Sequence, residues 1–283
     1  KFNIKLVVAH VNHMIRAVAD SETEFVKGFC EDNGVDCFVK RIDVVGLSEK
    51  LKISCEEAGR NVRYDFFDEI FDKVGANKIA IAHNKNDNVE TVLMNIMRGS
   101  GVSGLKGIEP VRDGKFIRPL IEIDRKSIEQ YCVDENLNPK FDESNKENVY
   151  TRNKVRNLLI PYIEKEFNPN IIESISRLSD LATQESNFVD NVVDKEFKNT
   201  LISYNESEIK LDLKKFNNLD SFIKAKIILK SVAKLFYTTK GIEKVHIEDV
   251  IKLCERNIGN KYLTPNRNLK FFIKKGVITI SKV

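Results

Sequence analysis

No apolar stretch in the 283 residues approaches the roughly 18 that a membrane helix requires. The opening segment, KFNIKLVVAHV, has an apolar part too short and too β-branched for a signal peptide, and no small-residue cleavage site follows it. It reads instead as a buried strand, so the chain is expected to open in mid-fold. Cysteine is sparse and never paired in sequence. Cys30, Cys37, Cys55, Cys132 and Cys254 include no CxxC spacing, and their number is odd. That argues against a disulfide framework or a zinc site and for reduced, buried thiols in a cytosolic protein. Internal repeats and low-complexity segments are missing as well.

What is present describes an ordinary soluble globular chain, 42% apolar and 31% charged, long enough for about two domains. The net charge of +4 conceals an asymmetry. Residues 1–150 carry 22 lysines and arginines against 26 acidic residues, whereas residues 151–283 carry 24 against 16. A basic half suits a polyanionic partner, although scattered lysines alone make only a solvated face.

The first half alternates strand and helix signals. Ile4–Val11 is a continuous apolar run, as in a strand buried on both faces. A helix is expected from Asp20 to Asn33, stopped by Gly34, followed by a strand at Val35–Ile42. Ser54 with Glu57 makes a capping-box pattern for a helix reaching Gly75. A third strand at Lys78–Ala82 leads into a helix from Asn86 to Arg98. This order predicts an α/β fold: a Rossmann-like, doubly wound parallel sheet with helices on both faces. Phe116–Leu120 reads as a short edge strand and Asp124 as the cap of a helix to Glu135, with a polar loop over Asn136–Tyr150. The chain is helical from Thr151, breaks at Asn168-Pro169, and continues as a long helix over Asn170–Asn199. A strand at Glu208–Leu213, helices near Leu219–Phe236 and His246–Asn257, and a hairpin at Leu269–Ile280 follow. The expected division is an α/β domain over 1–165, a helical linker over 166–200 and a small α+β C-terminal domain over 201–283.

In doubly wound sheets, ligands bind beyond the carboxyl ends of the strands. Two strands end in clustered polar residues: AHVNHMIR, with His10, Asn12, His13 and Arg16, and AHNKNDNVET, with His83, Asn84, Asp87 and Glu90. Three of the four histidines thus fall at equivalent strand ends. Asp87, Glu90 and Thr91 share one helix face, with Val89, Val92, Leu93 and Ile96 on the core side. The carboxylates either favour the helix dipole or hold a cation, an ammonium or a metal ion. The two-histidine metal alternative matches no standard spacing. The helix ends in RGSGVSGLKGI, where Arg98, Gly99 and three further glycines offer an arginine and free backbone N–H groups to phosphate, although this is no Walker loop. Glu56 and Arg60 are spaced for an i,i+4 pair, and Arg63 precedes Tyr64 toward the cleft. Arg152 and Arg156, one turn apart in YTRNKVRNLLIP, form a cationic stripe suited to a phosphate backbone.

These stretches, together with SCEEAGRNVRYDFF, FIRPL and DESN, resemble the tRNA(Ile)-lysidine synthases, members of the N-type ATP pyrophosphatases, in the same order over residues 4–165. The resemblance implies adenylation of a cytidine in the CAU anticodon of tRNA(Ile), using ATP and Mg2+, then displacement of AMP by free L-lysine. It implies lysine binding by Asp87 and Glu90 with Arg63 beside them, and catalytic roles for Asp87 and Arg63. ATP contacts would come from His10, His13, Arg16, His83, Arg98 and Gly99. Arg152 and Arg156 would meet tRNA or the triphosphate, the C-terminal domain would bind tRNA, and a homodimer is in keeping with the family. The family's SGGxDS phosphate loop is not in this sequence, so the chain alone is expected not to hydrolyse ATP. Ala17 replaces the usual glycine after the HMIR arginine.

Two rivals are a tRNA thiolase of the same superfamily, which typically uses the CxxC pair missing here, and a non-catalytic RNA- or nucleotide-binding module. An SGGxDS sequence upstream of Lys1 would decide against the module.

Overall fold

The structure, a computed structural model, describes residues 4–15, 18–140, 147, 148, 150–256, 261–266 and 268–283. It divides into two compact units, Lys1–Asp180 and Leu181–Val283, with the division inside a long helix.

The first unit opens with β1 (Val7–Asn12) and β2 (Asp36–Arg41), paired in parallel with Val7 opposite Asp36 and Asn12 opposite Arg41. The crossover between them is α1 (Ala19–Asp32). A second sheet contains β3 (Ile79–Ala80), β4 (Val111–Arg112) and β5 (Phe116–Ile117). Its order is β3-β5-β4, with β3 and β5 parallel and β4 antiparallel. β5 is therefore the middle strand of this sheet and not the expected edge strand. The error has a plain cause: β4 is too short to give a periodic signal of its own, so its cover of β5 was invisible in sequence.

Local caps place the helices. α2 (Val44–Leu51), unforeseen in the sequence, starts where the Asp43 side chain accepts from Gly46 N. α3 (Cys55–Val74) begins with Ser54 Oγ accepting from Glu57 N at 3.1 Å and ends at Gly75, whose φ is +62°. α4 (Lys85–Met97) carries a full capping box: Asn84 Oδ1 accepts from Asp87 N at 3.1 Å, and Asp87 Oδ2 accepts from Asn84 N at 3.0 Å. α5 (Val102–Leu105) is a single turn, and α6 (Arg125–Asp134) is capped by Asp124. α7 (Thr151–Lys154) runs through a π-helical segment (Val155–Leu159) into α8 (Ile160–Glu166), and α9 spans Ile171–Thr200. Val89 and Val92 of α4 are sealed against Val155, Ile160 and Ile175, which fixes α4 to this helical run. Ile96, expected on the core side, is half-exposed at the end of α4.

The second unit is a five-stranded antiparallel sheet. In the order β6-β7-β10-β9-β8 it contains β6 (Leu201–Tyr204), β7 (Glu208–Asp212), β8 (Lys261–Asn266), β9 (Leu269–Lys274) and β10 (Val277–Lys282). Lys275 and Gly276 both have positive φ and make the tight turn between β9 and β10. Alternate residues Leu269, Phe271, Ile273, Ile278 and Ile280 bury one sheet face in a core shared with α11 (Ser221–Phe236) and α12 (Lys244–Arg256), α10 (Leu213–Asn217) completing the helices. No helix among the described residues is long and apolar enough to cross a membrane.

Candidate active site

At the start of α4, four charged side chains converge. Arg152 donates from Nε to Glu90 Oε2 at 2.7 Å and from Nη2 to Asp87 Oδ1 at 2.9 Å. Arg156 donates from Nε to Glu90 Oε1 at 2.6 Å, and its Nη2 reaches Glu90 Oε2 at 2.9 Å and Asp87 Oδ1 at 3.1 Å. Glu90 is only 1% exposed, so a carboxylate placed by periodicity on the polar face of α4 is among the most buried side chains. Burial of that charge is tolerable because two guanidinium forks satisfy both oxygens. Burial disfavours the Arg156 charge, but the hydrogen bond and charge of Glu90, with Asp87, outweigh it and raise its pKa. Arg156 sits on the π-helical segment, whose wider turn was not visible in sequence. Asp87 serves both readings of its position: Oδ2 closes the capping box while Oδ1 takes the arginines.

His83 follows β3 and Arg118 follows β5, so parallel pairing sets them side by side at one sheet edge. Arg118 Nε donates to His83 Nδ1 at 3.1 Å. An arginine has no acceptor, so Nδ1 must be unprotonated and the neutral ring carries its proton on Nε2. Burial agrees, pushing the His83 pKa below its ordinary value. Both residues line a cavity of about 380 Å³ with Arg60, Tyr64, Thr91, Lys106, Glu109, Arg112 and Arg152 among its walls. Arg60 and Arg112 lie over the Tyr64 ring at 4.9 and 4.5 Å from its centroid, and Arg112 also covers Phe116 at 4.4 Å. Arg60 makes this ring contact, and no ion pair with Glu56 is found.

The other strand end is a separate cluster. His10 Nε2 lies 3.3 Å from Thr23 Oγ1, and Asn12 bonds Asp20 and Thr23. His13 packs against Gly59, and its Nδ1 is buried with no hydrogen-bond partner. Burial lowers the pKa of both histidines, and the Arg63 charge adds to the effect at His13. Among the described residues, the hydrogen bonds and ion pairs of Asp87 and Glu90 are to Arg152, Arg156 and backbone groups, with Arg63 not among them. Arg16 and the DESN segment lie outside the described residues. Among the described residues no three His, Cys, Asp or Glu side chains are placed to hold a metal ion.

The glycine-rich stretch after α4 is mostly explained by packing. Gly99, with φ +71°, terminates the helix beside the exposed Arg98. A Cβ on Gly104 would stand 2.5 Å from Ser100 Cβ, and one on Gly107 (φ +64°) only 2.0 Å from Asn88 Oδ1. That Asn88 oxygen accepts from Ile108 N at 2.7 Å while its Nδ2 donates to Ser179 Oγ at 3.1 Å, pinning the loop to α4 and α9. Arg60, Lys106, Arg112 and Arg118 were not singled out as site residues. In sequence Arg60 is spaced only to pair with Glu56, and Arg118 stands within the expected strand of the FIRPL stretch.

Residues 1–163, more than half of the chain, match the PP-loop domain family. The chain is 44% identical over 283 residues to the tRNA(Ile)-lysidine synthase of Clostridium acetobutylicum, covering 99% of this chain and 60% of that protein. It is 41% identical over 281 residues to that of Clostridioides difficile, covering 99% and 61%. The chain therefore spans about 60% of the length of these curated relatives. A solved structure of a U34-tRNA thiolase from Methanococcus maripaludis, with its 4Fe-4S cluster, matches with a TM-score of 0.50 at 20% identity over 63% of each chain. That likeness speaks for the fold alone. The chain belongs to the PP-loop family.

Proposed function

We propose that the protein ligates free lysine to the wobble cytidine of tRNA(Ile) with a CAU anticodon, consuming ATP and giving lysidine, AMP and pyrophosphate. The observation that carries this reading is the paired cluster of Asp87 and Glu90 with Arg152 and Arg156, beside a cation-lined cavity at the strand ends. The names of the relatives support it.

The reaction needs a cation site for the amine and cations for two polyanions. Glu90 is closed off by the arginines, whereas Asp87 is 15% exposed at its side chain and shares Oδ1 with Arg152, the more exposed guanidinium. Lysine's ε-ammonium can replace Arg152 on Asp87, which releases that guanidinium to a phosphate with no net change of charge at the carboxylate. Asp87 first takes a proton from the ammonium, and the neutral amine then bonds through nitrogen to carbon 2 of the adenylated cytosine as the bond to the AMP oxygen breaks, its second proton leaving with AMP. His83, held neutral by Arg118, offers Nε2–H to a phosphate oxygen, with Arg98 and the Gly99 N–H as further donors. His10 and His13 border the adenosine on this reading, and Arg63 stands with the lysine. Magnesium would arrive with ATP; the described residues offer it no ligand cluster, so no step is assigned to it.

The test is mass analysis of tRNA(Ile) nucleosides after incubating the full-length protein with ATP and lysine. Lysidine is expected, and Asp87→Asn should reduce its formation at least about 100-fold, in the range of a lost general base. Normal turnover by that variant would remove Asp87 from the mechanism.

A further inference from the structure

The five-stranded sheet of the second unit buries one face. Leu269, Phe271 and Ile273 of β9, with Ile278 and Ile280 of β10, point into the core that α9, α11 and α12 complete. Their alternates point the other way, because successive strand residues face opposite sides. One row on this open face crosses four strands: Tyr262 of β8 is opposite Phe272 of β9, Phe272 is opposite Thr279 of β10, and Thr279 is opposite Lys210 of β7. Two rings therefore stand side by side, their Cβ atoms about 5 Å apart. Tyr262 is 61% exposed and Phe272 half-buried. Lys270, two residues along β9 on the same face, holds its ammonium over both rings, 4.8 Å from the Tyr262 centroid and 5.8 Å from that of Phe272. Charge follows the same strands. Residues 261–283 carry six lysines and arginines and no acidic residue. The acidic residues of the face, Glu208 and Asp212, lie on β7, with β10 between them and the rings, and Glu208 is paired with Lys210 at 2.6 Å. Among the described residues no carboxylate pairs with Lys270 or Lys274, which flank Phe272 on β9.

We propose that this open face binds unpaired nucleotides of the RNA substrate, their bases stacked on Tyr262 and Phe272 and their phosphates held by Lys270 and Lys274. The proposal rests on the tRNA-ligating reading above and adds to it a surface other than the cluster on α4. Two neighbouring rings on an open sheet suit two successive bases, and stacking accepts any base because every base has a π-face. The Lys270 ammonium now caps the rings where a base would lie. Its long, flexible stem lets a phosphate draw it aside, so one nucleotide satisfies the cation and opens the ring together. A duplex is the poorer occupant, because its bases are already stacked and present only backbone and groove edges. A protein partner is poorer too, since interfaces between proteins are depleted of lysine and this patch has one at its centre.

The experiment measures the fluorescence anisotropy of a labelled single strand of about eight adenines and cytosines, which do not pair with each other, on the full-length protein without ATP or lysine. Tyr262→Leu and Phe272→Leu keep apolar bulk and lose the ring, and each should weaken binding about tenfold, in the range of one lost base stack. Lys270→Gln should lower the slope of log affinity against log salt by about 0.7, the share of one phosphate on a single strand. In the lysidine assay Phe272→Leu should raise KM for tRNA about tenfold, with kcat and KM for ATP within about twofold of wild type. Unchanged oligonucleotide affinity in both leucine variants would overturn the proposal. Equal binding of the same strand annealed to its complement, weakened alike by the variants, also overturns it and marks a surface for phosphates alone. Leucine variants that dissociate a dimer in sedimentation yet bind RNA normally mark a protein interface instead. Lysidine formation together with any of these results removes only this proposal. Weakened oligonucleotide binding by the variants of a protein that makes no lysidine keeps the surface and removes the ligation reading.

Discussion

Glu90→Gln isolates the buried cluster. Glu90 takes three hydrogen bonds, at 2.7, 2.6 and 2.9 Å, from two guanidinium groups and is itself sealed from water. The amide keeps the shape but loses the charge, and its NH2, itself a donor, faces a guanidinium donor where the carboxylate offered an acceptor. Removing one partner of a buried pair costs about 3–5 kcal/mol. The arginine side chains here are 38% and 22% exposed and keep Asp87, so a loss of about 2–4 kcal/mol is expected. In a unit of this size a 3 kcal/mol loss lowers Tm by roughly 6–12 °C. A urea titration of the full-length protein, read by hydrogen exchange of peptides from α4, separates this unit from the rest. Adding Arg156→Met removes the stranded cation and should give back at least about 1 kcal/mol, as coupling within one network. A Glu90→Gln variant within about 0.5 kcal/mol of wild type would refute the view that these charges depend on one another.

Three further outcomes are expected. Gly107→Ala should destabilise the first unit by about 2–4 kcal/mol, because positive φ and a 2.0 Å approach to Asn88 Oδ1 coincide; Gly99→Ala, with positive φ and open space, should cost only about 1 kcal/mol. Equal urea midpoints for the two would contradict the packing account. In the native protein at pH 8, iodoacetamide should label exposed Cys55 well before Cys254, whose thiol burial pushes up to about 12, or Cys37, pushed up to about 11 by burial and the neighbouring Cys30. Peptide mapping showing early Cys254 labelling would count against that. Stability should also fall on acidification. His10, His13 and His83 have folded-state pKa values lowered by burial, so the unfolded chain takes up protons first. The contribution of the neutral rings is whole above about pH 6.5 and is lost as pH falls from there through the lower folded values. His83→Gln should flatten the urea midpoint against pH over that window; an unaltered slope would exclude His83.

What was legible in the sequence is what local chemistry decides. Ser54 with Glu57 and Asp124 with Ser127 cap their own helices, so their signals lie within a few residues. The carboxylates and the strand-end histidines were found for the same reason. Their pairing with Arg152 and Arg156, read in sequence as a stripe for a phosphate backbone, was not, because these arginines approach Glu90 from 62 and 66 residues away and the distance is closed only by packing of Val155 and Ile160 on α4. Periodicity put Glu90 on the polar face correctly, but only the fold shows that this face is covered by a second, cationic helical run. The glycines of RGSGVSGLKGI misled in the opposite direction. Their number suggested phosphate binding, whereas Gly104 is required by its approach to Ser100 and Gly107 by its approach to Asn88 of α4.

The position of β5 shows how one topological detail changes a chemical conclusion. As an edge strand, Phe116–Leu120 would place Arg118 at the rim of the sheet with its charge in water. As the middle strand, parallel to β3, it carries Arg118 to the same end as His83 and under the cover of β4. Had β5 run antiparallel to β3, the residues following the two strands would lie at opposite edges, and no Nδ1 contact could form. The parallel register therefore produces two effects at once. It fixes the tautomer of His83, which keeps Nε2–H as its donor, and it buries a guanidinium in the cavity wall with the His83 ring and the Glu109 carbonyl as acceptors. A histidine after one strand and an arginine after the next are unremarkable in sequence; their chemistry exists only once the strand order makes them neighbours.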